Sequence, residues 1–171
     1  MLRLLMMFLF LAASGCAPLA QTDSGSFLVL DIRQAISSAD PQLQKPDSNI
    51  SVAQKNGIVL LLGDTGSEEL KQLAQQAAAT VEGVRMVHNE IRVNAGSAGI
   101  AVVSDSLITS RVKAQLLNTE GLPPNRVKVV TERGIVYLIG TLSHQQAGLA
   151  AEAARRIGGV QKVVRVFEYA D

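Results

Sequence analysis

Apolar residues recur along the chain with two different spacings, which predict two kinds of element. Ile108, Val112 and Leu116 lie four positions apart, as on one buried face of a helix. Residues 127–129 alternate apolar and polar side chains, which predicts a strand. A two-residue turn at 133–134 then leads into an apolar run, the pattern of a hairpin. An alanine-rich amphipathic helix and a third strand follow, so the predicted order is α-β-β-α-β.

The same order of elements occurs twice. Three blocks of the first half recur in the second half 76 to 80 positions later: residues 56–63 in 133–140, 83–87 in 159–163, and Leu28, Ile32 and Ile36 in Ile108, Val112 and Leu116. Three blocks in one order at nearly constant offset predict two copies of one domain. We place the copies at residues 26–95 and 104–171, with a linker at 96–103.

Four residues predict where elements begin or end. Ser104 and Asp105 stand directly before the periodic residues of the second copy's first helix. Serine is a favoured N-cap and a carboxylate suits the first turn, so this helix is expected to begin there. Gly63 and Gly140 follow the apolar runs of the second strands, and these strands are expected to end at them.

The second strand of each copy is apolar on both faces, which bears on how the copies pack. If both helices pack on one face of a sheet, the other face is exposed to water. An apolar face of this kind is expected to pack against another part of the protein. We therefore predict an α+β fold in which each copy has a three-stranded mixed sheet with two helices on one face. The helix-free faces of the two sheets are expected to cover each other through six residues: Ile58, Leu60, Leu62, Ile135, Tyr137 and Ile139.

The first residues predict export and a lipid anchor. A short basic start precedes ten apolar residues at 4–13, far fewer than the roughly 20 that span a bilayer. The run ends in Ala-Ser-Gly-Cys at 13–16, which resembles a bacterial lipobox. We expect a signal peptide at residues 1–15, lipidation of Cys16 and a flexible tether at 16–25. Ala17 is not the Asp of inner-membrane retention, so sorting to the outer membrane is expected.

The repeated pattern also carries a family resemblance. The run Gly-apolar-Val-apolar-Leu-apolar-Gly, an alanine-rich helix and a Gly-Val strand are similar to the BON domain. Two such copies behind a lipobox resemble the DolP family of dual-BON outer-membrane lipoproteins, most closely at residues 87–92, 104–117 and 127–132. The resemblance implies binding of anionic phospholipids such as phosphatidylglycerol through the second domain, enrichment at the division site, support of envelope integrity and association with the β-barrel assembly machinery.

Charge and composition agree with an envelope protein and exclude other classes. With 47% hydrophobic residues, 18% charged residues, one Cys and a net charge of +1, the chain is neither a disordered tail, a disulfide scaffold nor a basic nucleic-acid binder. Residues 26–96 hold six Lys/Arg against eight Asp/Glu, whereas residues 100–171 hold nine against six. The second domain is the cationic one, which suits an anionic surface. A merely solvated basic surface is the other interpretation.

The second copy's first helix supplies the candidate lipid-binding residues. If its four-spaced apolar residues face the core, Leu107, Arg111 and Ala114 lie on the opposite face. Together with Ser110 and Lys113 they are the candidate phospholipid-binding residues. A Leu beside two basic residues is a small interfacial-anchor pattern. Family relatives place a large aromatic at position 107, so insertion here is expected to be weaker or shared with Val102 and Val103. The alternative is that Leu107 packs on a neighbouring helix or the linker.

Catalytic and metal-binding interpretations find little support. His88 and His144 lie at unrelated places in the two copies and have no metal-ligand partners at suitable spacing. No nucleophile elbow, phosphate-binding loop or zinc-protease motif occurs. We therefore expect no enzymatic activity, no metal and no cofactor beyond the lipid on Cys16. The main alternative to lipid binding is an adapter that docks the β-barrel assembly machinery or a peptidoglycan-remodelling partner.

Overall fold

The computed structural model describes residues 24–46, 48–93 and 101–170, and the side chains of this range outside 24 and 101–103. The first domain contains α1 (Ser24–Ala39), β1 (Asn49–Lys55), β2 (Ile58–Thr65), α2 (Glu68–Ala79), β3 (Met86–Asn89) and β4 (Arg92–Val93). The second contains α3 (Ala101–Leu117), β5 (Val127–Glu132), β6 (Ile135–Leu142), α4 (His144–Arg155) and β7 (Lys162–Tyr169). Short 3-10 turns at Pro41–Gln44 and Pro124–Arg126 precede the first strand of each domain.

Each domain has the predicted α-β-β-α-β order and mixed sheet. β1 runs antiparallel to β2, and β3 and β4 run parallel to it, while β5, β6 and β7 repeat this arrangement. The first sheet departs from three strands because its last strand is broken between Asn89 and Arg92. The Asn89 side chain accepts the N–H of Ile91 at 3.2 Å, which bends the chain while Ile91 stays buried in the core.

The two hairpins turn through pairs of left-handed residues. The φ angles are 52° and 77° at Asn56 and Gly57, and 53° and 75° at Arg133 and Gly134. Positive φ at both central residues defines the type I′ turn, whose twist matches that of the flanking strands. Both hairpins predicted from the sequence are therefore present, with seven paired positions in the first and six in the second.

The prediction that Gly63 and Gly140 end their strands is wrong. β2 continues to Thr65 and β6 to Leu142. The glycines instead permit a close approach of neighbouring backbone at or just before the start of the first strand. A Cβ at position 63 would lie 1.8 Å from the Asn49 carbonyl oxygen, and one at position 140 would lie 2.0 Å from that of Arg126. Glycine within a strand marks such an approach as readily as an end.

Two helix starts also differ from the predicted boundaries. α1 begins at Ser24, inside the expected tether, and the Gln54 side chain donates to the Gly25 carbonyl at 3.0 Å. This tertiary contact holds the first turn against β1. α3 begins at Ala101, inside the expected linker, since no Gly or Pro interrupts residues 101–117. The remaining predicted linker residues and the signal peptide lie outside the described part of the chain.

Each sheet buries its helix-covered face in a core of its own. In the first domain the buried apolar residues of this core are Ile32, Ile36, Leu43, Val52, Val59, Leu61, Ala74, Ala78 and Ile91. The second domain uses the corresponding positions of α3, β6 and α4, among them Ile108, Val112, Leu116, Val136 and Leu138. Alternate residues of β2 and β6 thus face the helices, and the residues between them face away.

The residues that face away form a third apolar cluster between the two sheets. It contains Ala53, Ile58, Leu60, Leu62, Tyr137, Ile139 and Val166, with Ile135 packed against it. All six residues expected between the domains are therefore in one cluster. β1 lies near β5, and β2 lies near β6 and β7. Because α1 packs on β1 and α3 on β5, the first helices of both domains flank the same edge of the sandwich.

Candidate functional site

The helix α3 presents one face to the core and the opposite face to solvent. Ile108, Val112 and Leu116 are buried, as the four-residue spacing predicts. On the other side Leu107 is 55% exposed and Leu117 is 69% exposed. No described helix covers Leu107. Leu107 and Leu117 therefore lie on the solvent-facing side of α3.

The structure brings four of the five expected lipid-binding residues into one stripe. Leu107, Ser110, Arg111 and Ala114 follow the spacing of one helix face, and all are exposed. Lys113 is also exposed but lies to one side of this stripe, where its side chain lines a groove toward α1. The Ser110 hydroxyl donates to the Ser106 carbonyl at 3.0 Å, so it is partly occupied within the helix.

The expected N-cap at Ser104 is wrong, and Asp105 has a different role. Both residues lie inside α3. The buried Asp105 carboxylate accepts the backbone N–H of Arg133 at 2.6 Å and that of Gly134 at 2.8 Å. These bonds tie α3 to the β5–β6 turn, and a charged acceptor makes them strong. The outward face of α3 therefore has a set orientation on the sheet.

In the first domain, a different residue ties the first helix to the hairpin turn. Gly25 occupies the position equivalent to Asp105, 80 residues earlier, and has no side chain to reach the turn. Gln54 replaces it by donating to the Gly25 carbonyl and accepting the Gly57 N–H at 3.4 Å. Each domain thus fastens its first helix to its hairpin turn. Sequence reasoning missed both contacts because the partners lie about 28 residues apart.

Ion pairs join the domains at the edges of the apolar cluster. Asp64 pairs with Arg92 of its own domain and with Arg133 of the other domain, the latter at 2.9 Å. Arg85 makes two bonds of 2.9 Å to the carboxylate of Glu168. Neither contact was predicted, since nothing in a repeat pattern says which charges of the two copies will meet.

Glu132 and Tyr137 lie in a desolvated part of this boundary. Burial raises the pKa of the Glu132 carboxyl, with Asp64 and Asp105 acting in the same direction and Arg92 and a bond from the Gly63 N–H opposing it. Burial also raises the pKa of the Tyr137 hydroxyl to about 12. Both groups are therefore held toward their neutral forms.

The raised pKa of Glu132 predicts a pH-dependent effect of Glu132→Gln. A carboxyl whose pKa is higher in the folded than in the unfolded protein stabilises the fold below its ordinary value of 4.5, and this contribution is lost as pH rises through the folded value. The variant should therefore unfold at a higher temperature than wild type at pH 7, and the difference should shrink toward pH 4. Thermal unfolding at the two pH values measures it, and a variant less stable at pH 7 contradicts the prediction.

The two histidines do not form a metal centre. His88 lies on β3, where burial lowers its pKa and the nearby Glu90 opposes this. His144 begins α4 and stacks on Tyr169, with ring centroids 3.9 Å apart. Within residues 24–46, 48–93 and 101–170, no three His, Cys, Asp or Glu side chains are grouped as metal ligands.

None of the helices in the described residues is both long enough and apolar enough to cross a bilayer.

Comparison with known proteins identifies the class. The BON domain family matches residues 29–95 and 104–171, one match for each α-β-β-α-β unit. As a class, BON domains bind membranes or phospholipids.

Similarity to individual proteins supports the assignment of this chain as an envelope BON protein. The chain is 43% identical to a 21 kDa hemolysin of Actinobacillus pleuropneumoniae, over 82% of this chain and 73% of the relative. It is 35% identical to the outer membrane lipoprotein DolP of Haemophilus influenzae, over 74% of this chain and 66% of that protein. It is 34% identical to the osmotically-inducible protein Y of Escherichia coli, over 68% of this chain and 59% of that protein. The chain belongs to the BON family as a dual-BON protein of the DolP type.

Proposed function

We propose that this protein is a lipoprotein of the outer membrane that faces the periplasm and binds anionic phospholipid through α3. Cys16 carries the lipid, and Leu107, Ser110, Arg111, Lys113 and Ala114 make the contact. Phosphatidylglycerol is the expected ligand class, and support of envelope integrity at the division site is the expected role. No catalytic step is part of this proposal.

The exposed face of α3 is the observation that carries the proposal. Leu107 projects from the helix with Arg111 one turn away, an apolar side chain next to a cation. This pairing suits the boundary between lipid headgroups and acyl chains. The bonds from Asp105 to the β5–β6 turn hold the helix in place, so the face is prepared before it meets a membrane.

The expected free energy of the contact between α3 and the membrane is small, which explains the importance of the lipid anchor. Burial of one Leu contributes about 1.5–3 kcal/mol, and each basic residue near an anionic surface about 1 kcal/mol. Together these give weak binding for a protein in free solution. A lipid on Cys16 makes the α3 contact effectively intramolecular, which raises occupancy without any new contact.

The second candidate function is that of an adapter, which binds another protein and has no specific lipid recognition. Its partner would be the β-barrel assembly machinery or a peptidoglycan-remodelling protein, and its surface would be the same face of α3 or the acidic first domain. The exposed Leu117 beyond the lipid-binding stripe favours it, since that leucine is 69% exposed and lies outside the five proposed residues. Adapter binding would persist in detergent and in neutral lipid.

Vesicle flotation tests the lipid proposal. The protein without residues 1–16 should float with vesicles of phosphatidylcholine and phosphatidylglycerol but not with phosphatidylcholine alone. Leu107→Glu/Arg111→Glu removes the apolar contact and reverses one charge, so affinity should fall on the order of 100-fold. Binding of the parent protein should also weaken as salt rises.

A matched control separates this face from general charge. Leu149→Glu/Arg156→Glu makes the same two kinds of substitution at an exposed leucine of α4 and at the exposed C-cap residue of that helix, and should leave flotation unchanged. Absence of flotation with anionic vesicles at low salt would overturn the lipid proposal. Equal losses in both double variants would show that net charge, not the α3 face, determines binding.

A further inference from the structure

The first helix of the first domain also presents an apolar face to solvent. Phe27 is 55% exposed and Leu30 is 58% exposed, while Ile32 and Ile36 on the other side are buried. Phe27 and Leu30 stand 80 positions before Leu107 and Ser110, so they occupy the equivalent places on the equivalent helix. At these equivalent positions the first domain exposes two large apolar side chains, whereas the second exposes one, Leu107.

The charge of this α1 face differs from that of α3. Asp31 stands where α3 has Arg111, and Arg33 stands where α3 has Lys113, so the two charges of α1 cancel. A contact through α1 would rest on apolar burial, with no net attraction to anionic headgroups. The two helices would therefore respond differently to salt.

The two helices lie at the same edge of the molecule. α1 and α3 flank one edge of the sandwich and form walls of a groove of about 1130 Å³. Phe27 and Leu30 line the groove from α1, and Lys113 lines it from α3. Lys55 and Lys128 line it as well. Apolar side chains of the first domain and cations of both domains are thus brought together at one edge.

The position of α1 relative to the anchor favours a membrane as the occupant. Ser24 begins the helix eight positions after Cys16. Eight residues span at most about 29 Å when fully extended, so a lipid on Cys16 keeps this end of α1 within about a bilayer thickness of the headgroups. The described part of the chain therefore begins near the membrane, with a helix that exposes Phe27 and Leu30.

We infer that α1 is a second membrane contact, which places Phe27 and Leu30 among the headgroups of the same leaflet that α3 touches. This inference rests on the proposed function and extends its surface to both domains. α1 provides an apolar contact insensitive to headgroup charge, and α3 provides the anionic preference. Two contacts on one body orient the molecule with its β1–β5 edge toward the bilayer.

Site-specific labelling tests the two contacts separately. Removal of residues 1–16 leaves no cysteine, so single cysteines can be introduced one at a time. Gln34→Cys on α1 and Ala114→Cys on α3 occupy equivalent exposed positions 80 residues apart, and Glu152→Cys lies on α4 at the far edge. Each variant is labelled with a polarity-sensitive fluorophore. Vesicles of phosphatidylcholine and phosphatidylglycerol then carry a spin-labelled lipid as quencher.

We expect quenching at positions 34 and 114 and none at 152. Quenching at 114 alone overturns the α1 contact and leaves the proposed function standing. Quenching at 34 alone supports α1 and overturns the α3 site, and absence of quenching at both overturns both. If the fluorescence of the label at position 34 rises with protein concentration in the absence of vesicles, α1 forms a contact between two copies of the protein. That result also overturns the inference.

A substitution pair adds an independent measurement. Phe27→Ser/Leu30→Ser should weaken vesicle binding at least about 10-fold while leaving its salt dependence as in the parent. Arg111→Glu should instead reduce the salt dependence. Both α1 residues are already exposed, so the thermal unfolding of the pair variant should match that of the parent. Unchanged vesicle affinity in the folded variant overturns the α1 contact.

Discussion

Leu60→Asp is expected to lower the free energy of unfolding by more than about 4 kcal/mol. Truncation of a buried Leu alone costs about 2–5 kcal/mol, and an unpaired carboxylate in an apolar site costs more. Leu60 is fully buried in the cluster between the two sheets, which also contains Tyr137 and Ile139 of the other domain. The substitution thus disrupts packing between the two sheets and leaves the helix-covered core of the first domain intact.

Denaturant unfolding followed by circular dichroism measures this loss. Leu117→Asp, at an exposed position of α3, is the matched control and should change stability by less than about 0.5 kcal/mol. Gel filtration shows whether the variant that still folds becomes more extended. If Leu60→Asp unfolds like the parent, the two sheets do not cover each other in solution.

Gly63→Ala is expected to destabilise the protein by about 3 kcal/mol or more. Gly63 has a φ of 110°, which an L-residue rarely adopts, and a Cβ there would lie 1.8 Å from the Asn49 carbonyl oxygen. The neighbour is backbone at the start of β1, so the clash can be relieved only by moving the strand. Loss of pairing between β1 and β2 is the expected structural consequence.

Thermal and denaturant unfolding measure this effect against a nearby glycine. Gly66 has open space around its Cβ position and no left-handed φ. Gly66→Ala should therefore leave stability unchanged or raise it by up to about 1 kcal/mol, because alanine restricts the unfolded chain. Equal stability of the two alanine variants would contradict the close approach at Gly63.

The elements could be predicted because their signals are local. The four-residue spacing of Ile108, Val112 and Leu116 depends on helix geometry alone, and the buried side of α3 matches it. Alternation along β2 and β6 specified two apolar faces, each of which the structure covers. Because the sequence repeats, each helix or strand predicted in one copy could also be predicted at the equivalent place in the other copy.

Boundaries and long-range contacts were predicted less well, for a physical reason. Ser104 and Asp105 look like the start of a helix, but the Asp105 carboxylate bonds to a turn 28 residues away. Such a bond depends on where the folded chain brings the turn, and no local pattern encodes it. The outward side of α1 was missed similarly, because Phe27 and Leu30 belong to an unbroken apolar run with Leu28 and Val29.

The sequence by itself determined the two α-β-β-α-β units, their hairpin turns and the exposed face of α3, since each follows from side-chain periodicity or backbone preference over a few residues. Only the tertiary structure decided that Asp64 bridges the domains, that Asp105 and Gln54 fasten the first helices, and that α1 and α3 share one edge. These features depend on the distance between residues far apart in the chain, which is set when the two sheets stack.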